Sequence, residues 1–159
     1  MTNKKLAIIV SKGTLDQAYS PLILASTASA LGYDTEIFFT FYGLQLLEKD
    51  LNLKISPMGN TGISDAIGLG SWMPNITTAL PGFEAMITTK MKKKMSEKGI
   101  ASLEELRDLC QEENVKFIAC QMTVDLFDLD TSTFVKDVEF AGAARFFEFA
   151  GKSDICLYI

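Results

Sequence analysis

Cys120 is the residue whose surroundings in the chain best suit it to chemistry. It ends the apolar run Lys116-Phe-Ile-Ala-Cys120 and precedes Gln121-Met-Thr-Val-Asp125, which reads as a helical turn. A thiol at such a junction faces helix N–H groups, and the positive end of the dipole favours the thiolate. The competing reading is a small buried hydrophobe, since free cysteine is among the most buried residue types. Cys110 sits beside Leu106 and Leu109 on an amphipathic helix, and Cys156 lies inside a strand between Ile155 and Leu157. Both read as structural.

Other chemistry is thinner. Ser11-Lys-Gly-Thr14 lies between an apolar run and a helix, where backbone N–H groups could cradle an anion. It lacks the G-x-G-x-x-G and P-loop patterns, so a plain strand-to-helix turn competes with it. Asp125, Asp128 and Asp130 do not have the spacing of a calcium loop. Five lysines between Lys90 and Lys98 read as a solvated helix face or as a docking patch for an acidic partner. The chain has 0 histidines, which excludes Ser-His, Cys-His and His-metal mechanisms within it. No metal site and no cofactor are expected.

Composition sets the frame for these residues. The chain has 159 residues, the size of one domain, and a single domain over 1–159 is expected. A net charge of −5 argues against a general nucleic-acid binder. Three cysteines without C-x-x-C spacing make neither a disulfide framework nor a zinc site, and they favour a reducing, cytoplasmic setting. The apolar run Leu6–Val10 follows a polar, basic start and is too short for a signal sequence. Residues 17–33 are uncharged, but they include Gln17, Ser20, Ser26, Thr27 and Ser29 and fall short of the ~20 apolar residues of a membrane span.

The elements that must position Cys120 follow from hydrophobic patterning. Leu6–Val10 is apolar on both faces, as a central parallel strand is. Leu15–Leu31 reads as a helix with Thr14 as N-cap, Gly32 just past its end, and Pro21 either kinking it or marking its first turn. Asp34–Thr40 reads as a strand, Gly43–Leu51 as a helix and Leu53–Ile55 as a short strand. Ser56–Pro81, rich in glycine and proline, reads as a long irregular loop. Helices follow at Phe83–Lys98 and from Leu103, the latter behind a capping box of Ser102 and Glu105. Lys116–Cys120 is a strand, Asp125–Lys136 loop and short helix, Ala141–Ala150 a helix whose Phe146, Phe147 and Phe149 read as core, and Asp154–Ile159 a last strand. Alternating strands and helices predict a three-layer α/β/α sandwich with a mainly parallel sheet, flavodoxin- or Rossmann-like. In such sheets ligands bind beyond the carboxyl ends of the strands. That edge would hold Ser11, Lys12, Gly13, Thr14, Thr40, Gly43, Gln121 and Asp125 around Cys120.

Ser11-Lys-Gly-Thr-Leu-Asp16, Phe38-Phe-Thr-Phe41 with Gly43-Leu44, Met73-Pro-Asn75, Leu80-Pro-Gly82 and Phe117-Ile-Ala-Cys-Gln-Met122 with Asp125 carry a resemblance across nearly the whole chain. The sequence resembles the DsrE/DsrF-like family, in its larger, DsrE-like branch related by name to peroxiredoxins. The resemblance implies an α/β/α sandwich, a homo-oligomer, and a sulfur carrier or sulfurtransferase that holds a persulfide on Cys120. It also implies exchange of that sulfur with a TusA-like carrier protein. Asp128 stands where many relatives carry glycine, and no second cysteine lies close behind Cys120 to resolve it as a local disulfide. The P-x-x-x-T-x-x-C pattern of peroxidatic cysteines is absent around it. Two other functions stay open on the residues: a module binding a nucleotide or small anion, and a non-catalytic subunit of a larger assembly. Ser56–Pro81 is expected to cover the site. Trp72, Met73 and Ile76, with Met86, Met91 and Met95 of the following helix, are expected to contribute to oligomer contacts.

Overall fold

Along β1 (Lys5–Val10) the side chains of Leu6, Ile8 and Val10 alternate with those of Ala7 and Ile9. Successive strand residues point to opposite faces, and Leu6, Ala7, Ile8 and Val10 are all buried. A strand apolar on both faces belongs inside a sheet, and β1 pairs with β2 (Asp34–Phe39) on one side and β5 (Ile155–Tyr158) on the other. β3 (Lys116–Cys120) and β4 (Val138–Ala141) complete a five-stranded, all-parallel sheet of order β4-β3-β2-β1-β5. Ile8 stands opposite Ile37 and Leu157, and Ile37 opposite Phe117.

The computed structural model describes residues 3–56 and 82–159. These gather into two compact units. Of the described residues, one holds 3–13, 17–51 and 103–159; the other holds 14–16, 52–56 and 82–102. The whole sheet belongs to the first unit. Parallel neighbours need crossover connections, which are supplied in part by α1 (Leu15–Ala30), a 3-10 turn (Phe41–Leu47), α3 (Leu103–Glu112), α4 (Gln121–Leu126) and α5 (Ala143–Ala150). Helices lie on both faces of the sheet, the sandwich that the strand–helix alternation predicts. In the second unit, α2 (Phe83–Glu97) buries Ile87, Thr88 accepts a 3.1 Å hydrogen bond from the Ile55 N–H, and Lys54 pairs with Glu84 at 3.4 Å.

The alternation divides the core. Ala7, Phe38, Ile118 and Cys120 share one face with Phe146 of α5, where the Phe38 and Phe146 rings stack at 5.1 Å. Ile8, Ile37, Phe39 and Phe117 point the other way and are buried, the last two meeting edge to face at 5.4 Å. α1 buries Ala18, Leu22 and Ala25 at helical spacing. It starts at Leu15, so Pro21 lies in its interior and does not mark its first turn. Gly32, at φ 83°, ends it as expected of a residue just past a helix.

Four sequence expectations differ from the structure. Gly43–Leu51 is not an α-helix but the 3-10 turn Phe41–Leu47. The carbonyls beyond its last turn are held from outside, because the buried Arg107 donates to the backbone oxygens of Leu46 (3.1 Å), Glu48 and Lys49 (3.4 Å). Leu53 and Ile55 are buried, but the stretch makes no strand. Val138–Ala141 is a strand where none was expected, and it takes Ala141 from the expected helix, which starts two residues later at Ala143. Phe147 is exposed rather than core, because it falls on the outer side of α5 while its neighbour Phe146 faces the sheet. The expected cover Ser56–Pro81 falls, after Ser56, on residues 57–81 with Trp72, Met73 and Ile76, outside the described residues.

Candidate functional site

Cys120 is the last residue of β3 and the N-cap of α4, with extended backbone at φ −64° and ψ 108°. Two-residue alternation from Ile118 turns its side chain toward Phe146, and only 5% of the residue is exposed. Burial pushes its thiol up. The polar groups of Thr123, the Thr40 hydroxyl and the Met122 backbone nearby favour the thiolate and outweigh burial, so the thiol lies below the usual cysteine value. The lowering rests first on the Thr123 side chain.

The other two cysteines differ. Cys110 is fully buried, donates to the Leu22 carbonyl at 3.4 Å, and is pushed up to about 12 by burial. That makes it the inert structural thiol that its helix position predicts. Cys156 lies inside the last strand, as expected, but is exposed there because β5 is an edge strand. An edge strand flanked by one neighbour leaves side chains uncovered that a central strand would bury.

Of the residues expected around Cys120, Thr40 is brought directly to it. Thr40 follows β2, its N–H donates to the Val10 carbonyl at 2.9 Å, and its hydroxyl lies 3.2 Å from that of Thr123. Gly43 and Gly13 act one layer out, on the packing of the turns that follow β1 and β2. A Cβ on Gly43 would collide with the Val10 carbonyl, and one on Gly13 with the Tyr42 carbonyl and the Gln45 side chain. Ser11 donates its N–H to the Ile159 carbonyl at 3.0 Å, and Lys12 is exposed. Gln121 and Asp125 are exposed on α4 and bonded to each other at 2.7 Å. Thr14 belongs to the second unit, where its hydroxyl is buried without a partner.

Sequence reasoning missed Thr123 and Phe41, while Phe146, read as core, is core. Thr123 had a readable signal, since the third residue after an N-cap folds back toward it. Phe41 had none: its φ of 46° is left-handed, a region that bulky residues rarely enter. Asp128 also takes a left-handed φ, 48°, where glycine is at ease and aspartate is tolerated. Tyr42, Met122, Leu126 and Phe127, on the turns that flank Thr40 and Cys120, are exposed, and the rings of Tyr42 and Phe127 stack at 5.9 Å. A thiol beside exposed apolar side chains, in surroundings that favour its thiolate, can attack a sulfur that is presented to it and can release one again.

The sequence matches the DsrE/DsrF/DrsH-like family over residues 2–158. The chain belongs to this family. It is 62% identical over all 159 residues, covering 100% of both chains, to a protein of Allochromatium vinosum called sulfur carrier protein DsrE2. It is 28% identical over 160 residues, 98% of this chain and 97% of the other, to the uncharacterized protein YrkE of Bacillus subtilis. In structure it is similar to the ychN protein of E. coli, with a TM-score of 0.56 at 12% identity over 99% of this chain and 100% of that one. That likeness is one of fold, and it agrees with the parallel sandwich. Among the described residues of this family member, no helix is long and apolar enough to cross a membrane.

Proposed function

We propose that this family member is a sulfur carrier that holds sulfane sulfur on Cys120. The Cys120 thiolate attacks the outer sulfur of a donor persulfide, R–S–S–H. A new S–S bond forms to Cys120, the donor's S–S bond breaks, and R–S⁻ departs with the electron pair. Delivery is the same exchange in reverse: an acceptor thiolate takes the outer sulfur, and Cys120 leaves as thiolate. Neither step changes the net oxidation state or needs a cofactor. Rate depends on thiolate fraction, leaving-group acidity and access.

The observation that carries this reading is Cys120 itself, buried where β3 ends and α4 begins, with the linked Thr40 and Thr123 hydroxyls among the groups that favour its charged form. Full-length identity to a protein named as a sulfur carrier supports it. The exposed collar of Tyr42, Met122, Leu126 and Phe127 supports a protein partner, and we infer a TusA-like carrier as donor or acceptor. Exposed Phe147, Ile155 and Tyr158 support assembly into a homo-oligomer, checked by light scattering at micromolar concentration. Three unpaired cysteines support a reducing, cytoplasmic setting.

Incubation with polysulfide followed by peptide mapping tests the reading. One added sulfur on the Cys120 peptide, removable by a reducing thiol, is the expected result. Sulfur found only on the Cys156 peptide would overturn the assignment.

A further inference from the structure

We propose that Phe41, Tyr42, Met122, Leu126 and Phe127 form a fixed docking collar that selects a protein-borne persulfide, one whose cysteine is flanked by apolar residues with basic residues outside them. The inference rests on the reading of Cys120 as the sulfur-carrying residue and adds the kind of partner that residue serves.

Exchange needs one sulfur to touch another. Cys120 is 5% exposed, so an incoming sulfur has to pass the side chains around it. The two turns that follow β2 and β3 supply five large apolar ones, each between 40% and 63% exposed. At ~200 Å² for a full side chain they present roughly 500 Å², toward the upper end of the apolar patch a monomer leaves uncovered. A stable dimer buries about 800 Å² on each side. The collar falls short of that and has the size of a transient contact, as suits a relay whose partner leaves after each exchange.

The collar is held in shape. The Phe41 N–H donates to the Thr123 hydroxyl oxygen at 3.3 Å, and the Thr40 and Thr123 hydroxyls lie 3.2 Å apart, which fastens the turn after β2 to α4. The Tyr42 and Phe127 rings stack at 5.9 Å across the same junction. Met122 and Leu126 stand four residues apart on α4 and share a face of it. Phe41 takes a φ of 46°, which a bulky residue keeps only where its surroundings over-determine it. Apolar side chains fixed in this way lose little freedom when a partner settles on them.

The charges beside the collar point to the partner's rim. Asp125, Asp128 and Asp130 are exposed, and no basic residue occurs from 121 to 135. Lys49 reaches this segment, where its ammonium is held by the Ser132 carbonyl at 2.8 Å. An apolar centre with an acidic edge complements an apolar centre with a basic edge.

The test compares three sulfur donors: inorganic polysulfide and two five-residue peptides with a persulfide on the central cysteine. One peptide has leucine beside the cysteine and lysine outside; the other has serine and glutamate in those places. The readout is the rate at which added sulfur appears on the Cys120 peptide. The leucine–lysine peptide is expected to load Cys120 about tenfold faster than the serine–glutamate one. Met122→Gln combined with Leu126→Gln should cut that ratio to about twofold, and Asp128→Asn should lower it by less. Met122→Leu should keep it, as should Leu31→Gln, an exposed position just before β2. Leu126→Gln by itself repeats the comparison should the double variant fail to fold. Equal rates from the two peptides, or a ratio that survives the double variant, would overturn the proposal. So would light scattering in which the double variant falls to a smaller species with its ratio intact, since the collar would then belong to a second copy of this chain. Loading of Cys120 without preference between the peptides refutes this inference alone. No sulfur on Cys120 from any of the three donors refutes the carrier reading, and this inference falls with it.

Discussion

Arg145 reaches from α5 to the buried carboxylate of Glu36 on β2 with two hydrogen bonds, of 3.1 and 3.3 Å. The residue after Arg145 is Phe146, which packs in the same cluster as Cys120. The ion pair thus pins the helix that covers the face of the sheet on which the thiol lies. Glu139 braces the guanidinium at 2.9 Å, and Lys116 stands 3.7 Å from Glu36. A carboxylate with 4% of its side chain exposed depends on these cations.

Removing Arg145 should therefore cost more than removing the pair. Arg145→Met is expected to destabilise by about 2–3 kcal/mol, less than for a fully buried pair because Lys116 remains. Glu36→Leu combined with Arg145→Met should recover most of that loss. Chemical denaturation of the three variants measures both. A double variant weaker than Arg145→Met by itself would contradict the account. Alkylation of Cys120 should also be faster in Arg145→Met, since its cover is loosened.

Cys110 makes a prediction about alkaline pH. Its thiol is raised by burial from the usual 9.0 to about 12 in the folded chain, so folding favours its protonated form. A group raised on folding contributes stability that is fully present below its unfolded value and is lost as pH climbs toward its folded value. Cys110 should make unfolding easier between about pH 9 and 12, and Cys110→Ala should flatten that part of the stability–pH curve. Equal slopes for the two proteins over that range would count against the burial argument.

Gly43 tests the packing that brings Thr40 to Cys120. A Cβ there meets the Val10 carbonyl oxygen, with the Val10 carbonyl carbon at 2.8 Å, and both are backbone atoms that cannot swing aside. Gly43→Ala is expected to lose about 1–3 kcal/mol, the usual cost of overpacking. It should also raise the Cys120 midpoint as the turn carrying Thr40 and Phe41 is displaced. Thermal unfolding and alkylation against pH read the two effects, and a variant normal in both would refute the close packing.

What was legible in the chain was what short-range pattern encodes. Leu6–Val10, apolar on both faces, announced a central strand, and the junction after Ala119 announced Cys120. The parallel sandwich followed from strand and helix alternation. Val138–Ala141 was hidden because a four-residue edge strand needs little apolar sequence, and two of its residues are exposed. The 3-10 turn after β2 read as a helix because its leucines have helical spacing. What breaks the pattern is remote: the clamp of Arg107, 58 to 61 residues further along the chain. The paired hydroxyls near Cys120 come from two turns 83 residues apart, and only the sheet brings Thr40 and Thr123 together. The exposure of Cys156 was invisible for the same reason, since sequence does not say which strand takes the edge.

Single-turnover release of sulfane sulfur tests the central claim most directly. The chain is loaded with polysulfide, freed of excess reagent and exposed to cyanide, which removes the outer sulfur of a persulfide as thiocyanate. The account predicts one thiocyanate per chain from the wild-type protein and from Cys110→Ala and Cys156→Ser, and none from Cys120→Ser. Undiminished thiocyanate from Cys120→Ser would contradict it.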